Sequence, residues 1–320
     1  MDTSENESPA TSLSTLKRKR SGSGDASDVI PAKRLHFTPP NRSYDFDLPD
    51  SIIYYIAKNP TSKKLYKKLI KTCRYFFWKK PIILIKTLVC SNNELKAYST
   101  DFDHDVSLKD LPYEFWLTDQ CSINSELNDP IKPNLVSFFI PHIYRCEIED
   151  LSLCDQMLTI DEFLYFTTTT CVARFDNLTV VNRDGKEIAF EKLVELIPEV
   201  FTLEHRFKNS DKTVTAKTVK EILKLPHLQY FFQFRLFNVP EAFDIQLFFA
   251  HIKKSNGIFQ LGFAGALSVA YQSRLEAIID ELIESQTFDY IPPFISYPGM
   301  DDEKYKKLYK TVTKNGFFFK

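Results

Sequence analysis

The chain has 320 residues, 43% of them apolar, with 41 basic and 42 acidic side chains and a formal net charge of −1. That length supports a full hydrophobic core in one or two domains, and the overall neutrality excludes a nucleic-acid footprint spread along the whole molecule. No apolar run approaches the length that spans a bilayer and no secretory signal is read, so an intracellular, nuclear and/or cytoplasmic protein is expected.

Residues 1–43 are rich in Ser, Thr, Pro, Gly and charge and poor in aromatics, which predicts a disordered polar tail. Within it Lys17, Arg18, Lys19 and Arg20 precede Lys33 and Arg34 by twelve residues. That spacing resembles a bipartite nuclear import signal, and a solvated basic tail reads equally well.

Residues 44–81 predict a helical hairpin. Leu48-Pro49-Asp50 opens a helix whose Ile52, Ile53 and Ile56 recur at helical spacing, with proline in a first turn where its missing amide costs nothing. Asn59-Pro60-Thr61-Ser62 ends it, and Ser62 or Thr61 can cap the next. In that second helix Leu65, Leu69, Ile70, Cys73, Phe76 and Phe77 form one stripe, Lys64, Lys67, Lys68 and Lys71 take the other faces, and Pro81 is the stop.

Leu-Pro, an Ile-rich helix and a Leu-x-x-x-Leu helix ending in Cys73-Arg74 and aromatics resemble an F-box. Asn59-Pro60-x-Ser62-x-Lys64-Leu65-Tyr66 and Cys73-x-Tyr75-Phe76-Phe77 resemble the nematode-expanded F-box proteins in particular. The motif covers about a tenth of the chain. The resemblance implies a module that docks on a Skp-type adaptor and cullin through Leu48, Pro49, Ile52, Ile53, Ile56, Leu65, Leu69, Cys73 and Phe76. Ser51–Asn93 holds ten Lys or Arg and no acid, which leaves 31 basic residues against all 42 acids elsewhere, a charge near −11. A basic hairpin on an acidic body suggests two partner surfaces.

Residues 82–142 are read as a connecting segment. Ile82 to Val89 predicts a buried strand; Ser91 to Pro133 reads as polar and irregular, with Tyr113–Leu117 as an apolar island. Asp101, Asp103 and Asp105 lack the glycine and glutamate that a calcium loop needs at Val106 and Pro112, so an acidic loop is expected.

Over residues 143–289 strand-like runs alternate with helical patterns. Cys146–Leu151, Arg174–Leu178, Thr202–His205, Tyr230–Phe234 and Ile258–Phe263 recur at close to 28 residues, and Pro198 and Pro226 repeat at that interval. Ile160–Phe166, Phe190–Ile197, Thr215–Leu225 and Asp244–Lys253 are the helices between them, with Leu267–Glu284 as a cap. The expected fold class is therefore α/β: the N-terminal helical module followed by an irregular leucine-rich-repeat-like solenoid of parallel strands and helices. An ordinary α/β domain with right-handed crossovers is the alternative. Residues 290–320 read as a tail, in which Phe317-Phe318-Phe319 could dock back.

Strand alternation points Ile148, Phe175, Leu203, Phe234 and Leu261 at the helices. Glu147, Glu149, Arg174, Asp176, Glu204, Gln233 and Arg235, with Thr202 and Gln260, then line an open face suited to a protein target of unknown identity.

No catalytic residues, metal site or cofactor are expected. Phosphate-loop and nucleophile-elbow motifs are absent, and the six histidines sit singly near strand edges or helix ends. The six cysteines lack metal-ligand or disulfide spacing and read as buried thiols. Three functions follow: a non-enzymatic substrate receptor of a Skp–cullin–F-box ubiquitin ligase, a repeat scaffold without a ligase role, and, disfavoured, a nucleic-acid binder using the Lys-rich hairpin with Tyr66, Tyr75 and Trp78.

Overall fold

The computed structural model describes residues 47–91, 94–99, 106–107, 113–124, 132–209, 211–263 and 265–316. The basic pairs at Lys17–Arg20 and Lys33–Arg34, the acidic Asp101–Asp105 and Phe317–Phe319 lie outside them.

Three helices come first: α1 (Asp50–Lys58), α2 (Lys63–Thr72) and α3 (Arg74–Lys79). Asp50 stands in the first turn of α1, and the Ser62 hydroxyl caps α2 by accepting from the Leu65 amide at 3.3 Å. The expected single second helix is in fact two. Cys73 takes extended backbone angles and breaks it, so Phe76 swings back onto α1. The module's own small core is Ile53, Ala57 and Phe76, with Ile56, Leu69, Ile70 and Cys73 packed around them.

The strands begin with β1 (Ile82–Ser91), β2 (Glu94–Tyr98), β3 (Val106–Ser107) and β4 (Glu114–Ile123). The segment read as irregular around Tyr113–Leu117 is therefore a ten-residue strand, buried over much of its length. Its apolar run is broken by Thr118-Asp119-Gln120, which hid it from a pattern reading. A short helix α4 (Leu135–Phe139) and β5 (Ile143–Cys146) follow, then β6 (Asp150–Cys154), β7 (Met157–Thr159), α5 (Ile160–Thr167), β8 (Val172–Asp176) and β9 (Thr179–Val181). The chain continues through α6 (Phe190–Glu195), β10 (Thr202–Arg206), α7 (Thr218–Ile222), β11 (Gln233–Val239), α8 (Ile245–Ile252), β12 (Ile258–Phe263) and α9 (Val269–Glu284). It ends in β13 (Phe294–Ser296) and α10 (Asp302–Lys314). The expected tail is thus a further strand and helix; Leu308 and Val312 of α10 are fully buried in the main core.

The fold is mixed α/β with a mostly parallel sheet. Neighbouring strands run β13-β12-β11-β10-β8-β6-β4-β1-β2-β3, with β5 beside β4; β2 and β3 are antiparallel and all other neighbours parallel. From β1 to β13 the parallel strands follow sequence order, so each crossover moves one strand further along. Because such crossovers are almost always right-handed, the connections gather on one face. Burial agrees: Leu151 and Leu153, Ala173 and Phe175, Leu203 and His205 are buried with the crossover helices, while the alternate positions between them are not.

The expected register needs correcting. Asp150, Val172, Thr202, Gln233 and Ile258 lie side by side, so successive units are offset by 22, 30, 31 and 25 residues rather than a steady 28. The first strand of the series is Asp150–Cys154, and Ile148 is a buried loop residue between β5 and β6. Two further shifts matter less: β8 starts at Val172, and the helix expected over Thr215–Leu225 is α7 followed by a 3-10 turn, Pro226–Tyr230.

The three-helix module sits on the other side of the sheet. Ile83, Ile85, Phe115 and Leu117 join the main core, whereas Ile82, Leu84 and Trp116 pack with Tyr66, Ile70 and Tyr144 in a separate cluster. Consecutive strand residues point to opposite faces, so α2 lies against the face that the crossover helices leave open. The Tyr66 hydroxyl accepts from the Ile82 amide at 3.0 Å and donates to the Lys80 carbonyl, also 3.0 Å away. Burial pushes that hydroxyl up to about 12. Arg145 donates to the Thr61 carbonyl at 3.1 Å and lies 4.6 Å over the Trp116 ring, and Lys63 reaches Asp119 at 3.4 Å. Among the described residues no helix is long and apolar enough to cross a membrane.

Candidate target-binding face

The open face is built from the strand positions that alternate with the core positions. Ser152, Arg174, Glu204, Arg235 and Gln260 are direct partners on β6, β8, β10, β11 and β12, forming one rung of alternating charge across the sheet. The next rung, toward the strand ends, is Cys154, Asp176, Arg206 and Phe237. Five of the seven residues expected to line this face (Arg174, Asp176, Glu204, Gln233 and Arg235) are brought together here. Glu147 and Glu149 instead belong to the loop between β5 and β6, where their amides donate to the Leu117 and Asp119 carbonyls at 2.9 and 2.8 Å. Arg235 is only 7% exposed, so it is less available than its position in the rung suggests.

Four contributors were missed by sequence reading. Asp150 pairs with Arg174 at 2.6 Å, Arg206 with Asp176 at 3.2 Å, and Ser152 donates to Asn124 at 2.9 Å. The first strand lies three residues further along than expected, and a slip by an odd number exchanges the two faces, which put Glu147 and Glu149 where Asp150 and Ser152 belong. The alternation Thr202, Glu204, Arg206 carried the signal for Arg206.

At the carboxyl ends of β4, β6, β8 and β10 these side chains enclose an open cavity of about 250 Å³, lined by Ser152, Arg174, Asp176, Glu204 and Arg206 among others. The carboxyl ends of parallel strands are where ligands of open α/β sheets gather. Partial burial raises the Asp176 carboxyl above its ordinary value; Arg206 opposes that shift and Asp155 adds to it. The Arg206 guanidinium also lies 4.8 Å over the Phe237 ring. These pairs are solvent-exposed, so each contributes at most about 1 kcal/mol to stability. Their arrangement is free to serve recognition, because charge pattern governs partner choice more than fold stability.

The helical module divides its expected contact residues into two groups. Ile53 and Phe76 are buried inside it, and Ile56, Leu69 and Cys73 are partly covered. Leu48, Pro49, Ile52 and Leu65 are exposed. Tyr66 is 1% exposed and bonded to backbone, which withdraws one of the three rings that a base-stacking surface would use.

Among the described residues no cluster of three or more His, Cys, Asp or Glu is placed to hold a metal ion. Buried His205 is packed against Phe175, Phe190 and Phe207, and its Nδ1 makes no hydrogen bond. No protein-family model matches this chain, and no curated protein matches it.

Proposed function

We propose that this chain is the substrate-receptor subunit of a Skp–cullin–F-box ubiquitin ligase, with α1–α3 docking on the adaptor and the open sheet face holding a protein target. One observation carries the reading: α1 is apolar on two sides. Within it Ile53 and Ala57 are buried, yet Ile52 and Tyr55, three residues apart, remain 47% and 67% exposed, and Leu48, in the bend just before the helix, is 50% exposed. A helix that packed only within its own module would carry polar residues along that second stripe. Burying these three side chains against a partner is worth on the order of 5 kcal/mol gross. Leu48 and Ile52 are, with Pro49 and Leu65, the exposed members of the expected contact, whereas Leu69 is partly covered.

Two features support the rest of the assignment. The sequential strand order suits a leucine-rich-repeat-like stack of βα units, each burying one helix face against the growing sheet. Its strand ends share a device: Asp155 and Asn177 follow β6 and β8 in the left-handed region, and Asn238 adopts it near the end of β11. The Asn177 side chain donates to Asp155, and that of Asn238 to the Phe207 carbonyl at 3.3 Å, so each unit's turn is tied to its neighbour. The second feature is the Tyr66–Ile82 and Arg145–Thr61 bonding, which holds the module firmly against the sheet. A rigid receptor supplies proximity and orientation, raising the effective concentration of target lysines near the transfer enzyme.

The test is affinity capture from cell extract by full-length protein, followed by mass spectrometry. The wild type should retain a Skp-type adaptor and a cullin, and Leu48→Asp with Ile52→Asp should lose both while unfolding at an unchanged temperature. A wild type that captures neither would leave a repeat scaffold without a ligase role.

A further inference from the structure

The helix layer is open between α8 and α9. Helices α6 and α7 pack together, as do α9 and α10, but α8 and α9 approach less closely and leave a groove of about 450 Å³. Unequal units produce it. The step from β11 to β12 is 25 residues (Gln233 to Ile258), and the step from β12 to β13 is 34 (Gln260 to Phe294). The first unit's helix has eight residues and the second's sixteen, about 12 and 24 Å of helix, so they cannot lie flush.

The groove's chemistry is one-sided. Phe249 and Ile278 form its floor, the small exposed Ala250 and Ala277 keep its walls low, and Lys253, Lys254 and Arg274 stand on its rim. Glu281 is the one acid lining it and is engaged by Lys253. Glu241 lies near Arg274 but is bonded to the amide and hydroxyl of Ser268. The opposite flank of α9 shows how this layer is covered when a helix is present. There Asp280 pairs with Lys304 of α10 at 2.7 Å, Glu276 accepts from the Tyr297 hydroxyl at 3.0 Å, and Leu308 and Val312, four residues apart, are buried. A Lys-rich amphipathic helix thus covers the acidic flank, and among the described residues no such helix covers the basic flank toward α8.

We propose that the α8–α9 groove is a docking site for a short acidic amphipathic helix of a partner protein. Apolar residues at i and i+4 would enter over Ala250 and Ala277, and the flanking carboxylates would meet Lys254 and Arg274. The site lies on the crossover-helix face, away from the open face, so it does not depend on the ligase assignment.

The experiment uses full-length protein and a fluorescein-labelled peptide of about sixteen residues, built from Leu at i and i+4 with Glu and Ala elsewhere, long enough to hold a helix. A second peptide carries Lys in place of every Glu. Anisotropy titration should give the Glu peptide at least about tenfold tighter binding than the Lys peptide. Lys254→Glu and Ala277→Phe should each weaken it by about tenfold. Equal binding of the two peptides, or binding unchanged in both variants, overturns the proposal. Should Ala277→Phe fail to fold, Lys254→Glu decides alone, since that side chain is exposed. Sodium oleate that binds where the Glu peptide does not, and is lost in the same variants, also overturns it, in favour of an anionic lipid.

Discussion

His205 should make this protein acid-sensitive in a way that one substitution removes. It occupies a core position on β10, beside Phe175 and Leu236 on the neighbouring strands, and its Nδ1 lacks a partner. Burial lowers its pKa from 6.5 to about 4; Asp211 opposes that shift and Lys208 adds to it. A base whose folded pKa is depressed binds its proton more readily in the unfolded chain. Its contribution is therefore intact above the unfolded value and is lost as pH falls from 6.5 toward 4. Between pH 7 and pH 5 those two values correspond to a loss of about 2 kcal/mol, approaching roughly 3 kcal/mol at pH 4 and below. His205→Leu removes the titration and the unsatisfied nitrogen together. Urea unfolding of both proteins at pH 7 and pH 5 isolates the effect, because every other titrating group cancels in the difference. The variant should lose about 2 kcal/mol less than the wild type over that interval. Parallel losses in the two proteins would show that His205 keeps a charged or hydrogen-bonded form in the fold, and the reasoning from burial would fail.

Tyr66→Phe leaves the buried Ile82 amide without its acceptor and should cost about 1–3 kcal/mol, read by thermal or urea unfolding. Gly257→Ala places a methyl 2.7 Å from the Phe231 carbonyl oxygen and 3.2 Å from the Phe259 ring, and should lower stability by about 1–3 kcal/mol. Reversing Arg174 and Glu204 together, as Arg174→Glu with Glu204→Arg, should leave unfolding within about 1 kcal/mol of wild type while abolishing capture of the target. A double variant that keeps its target would move the binding surface off the open face. Phe76→Ala, which hollows the module's own core, should destabilise by about 3–5 kcal/mol, in contrast to the exposed Ile52→Asp.

Much of the local structure was legible in the chain alone. Helical spacing of Ile52, Ile53 and Ile56, Ser62 as a cap and the apolar runs at Ile82 and Ile258 are interactions between residues close in sequence, and they appear in the fold where those residues place them. So do the helices at Ile160, Phe190, Ile245 and Val269, because an amphipathic stripe reports its period whatever it packs against. What the chain could not report was set by contacts distant in sequence. Whether Leu65 or Phe76 serves a partner or the module's own core depends on which side of α1 and α3 meet, and that follows from the break at Cys73. The register of the open face depends on pairing between strands 22 to 31 residues apart, and alternation alone cannot distinguish Glu147 and Glu149 from Asp150 and Ser152. β4 was obscured by its own polar centre, and β13 and α10 were hidden in a Pro- and Lys-rich segment whose few apolar residues are buried only because α9 and β12 lie beneath them. A periodic pattern specifies which residues share a face, and only the assembled sheet decides what that face meets.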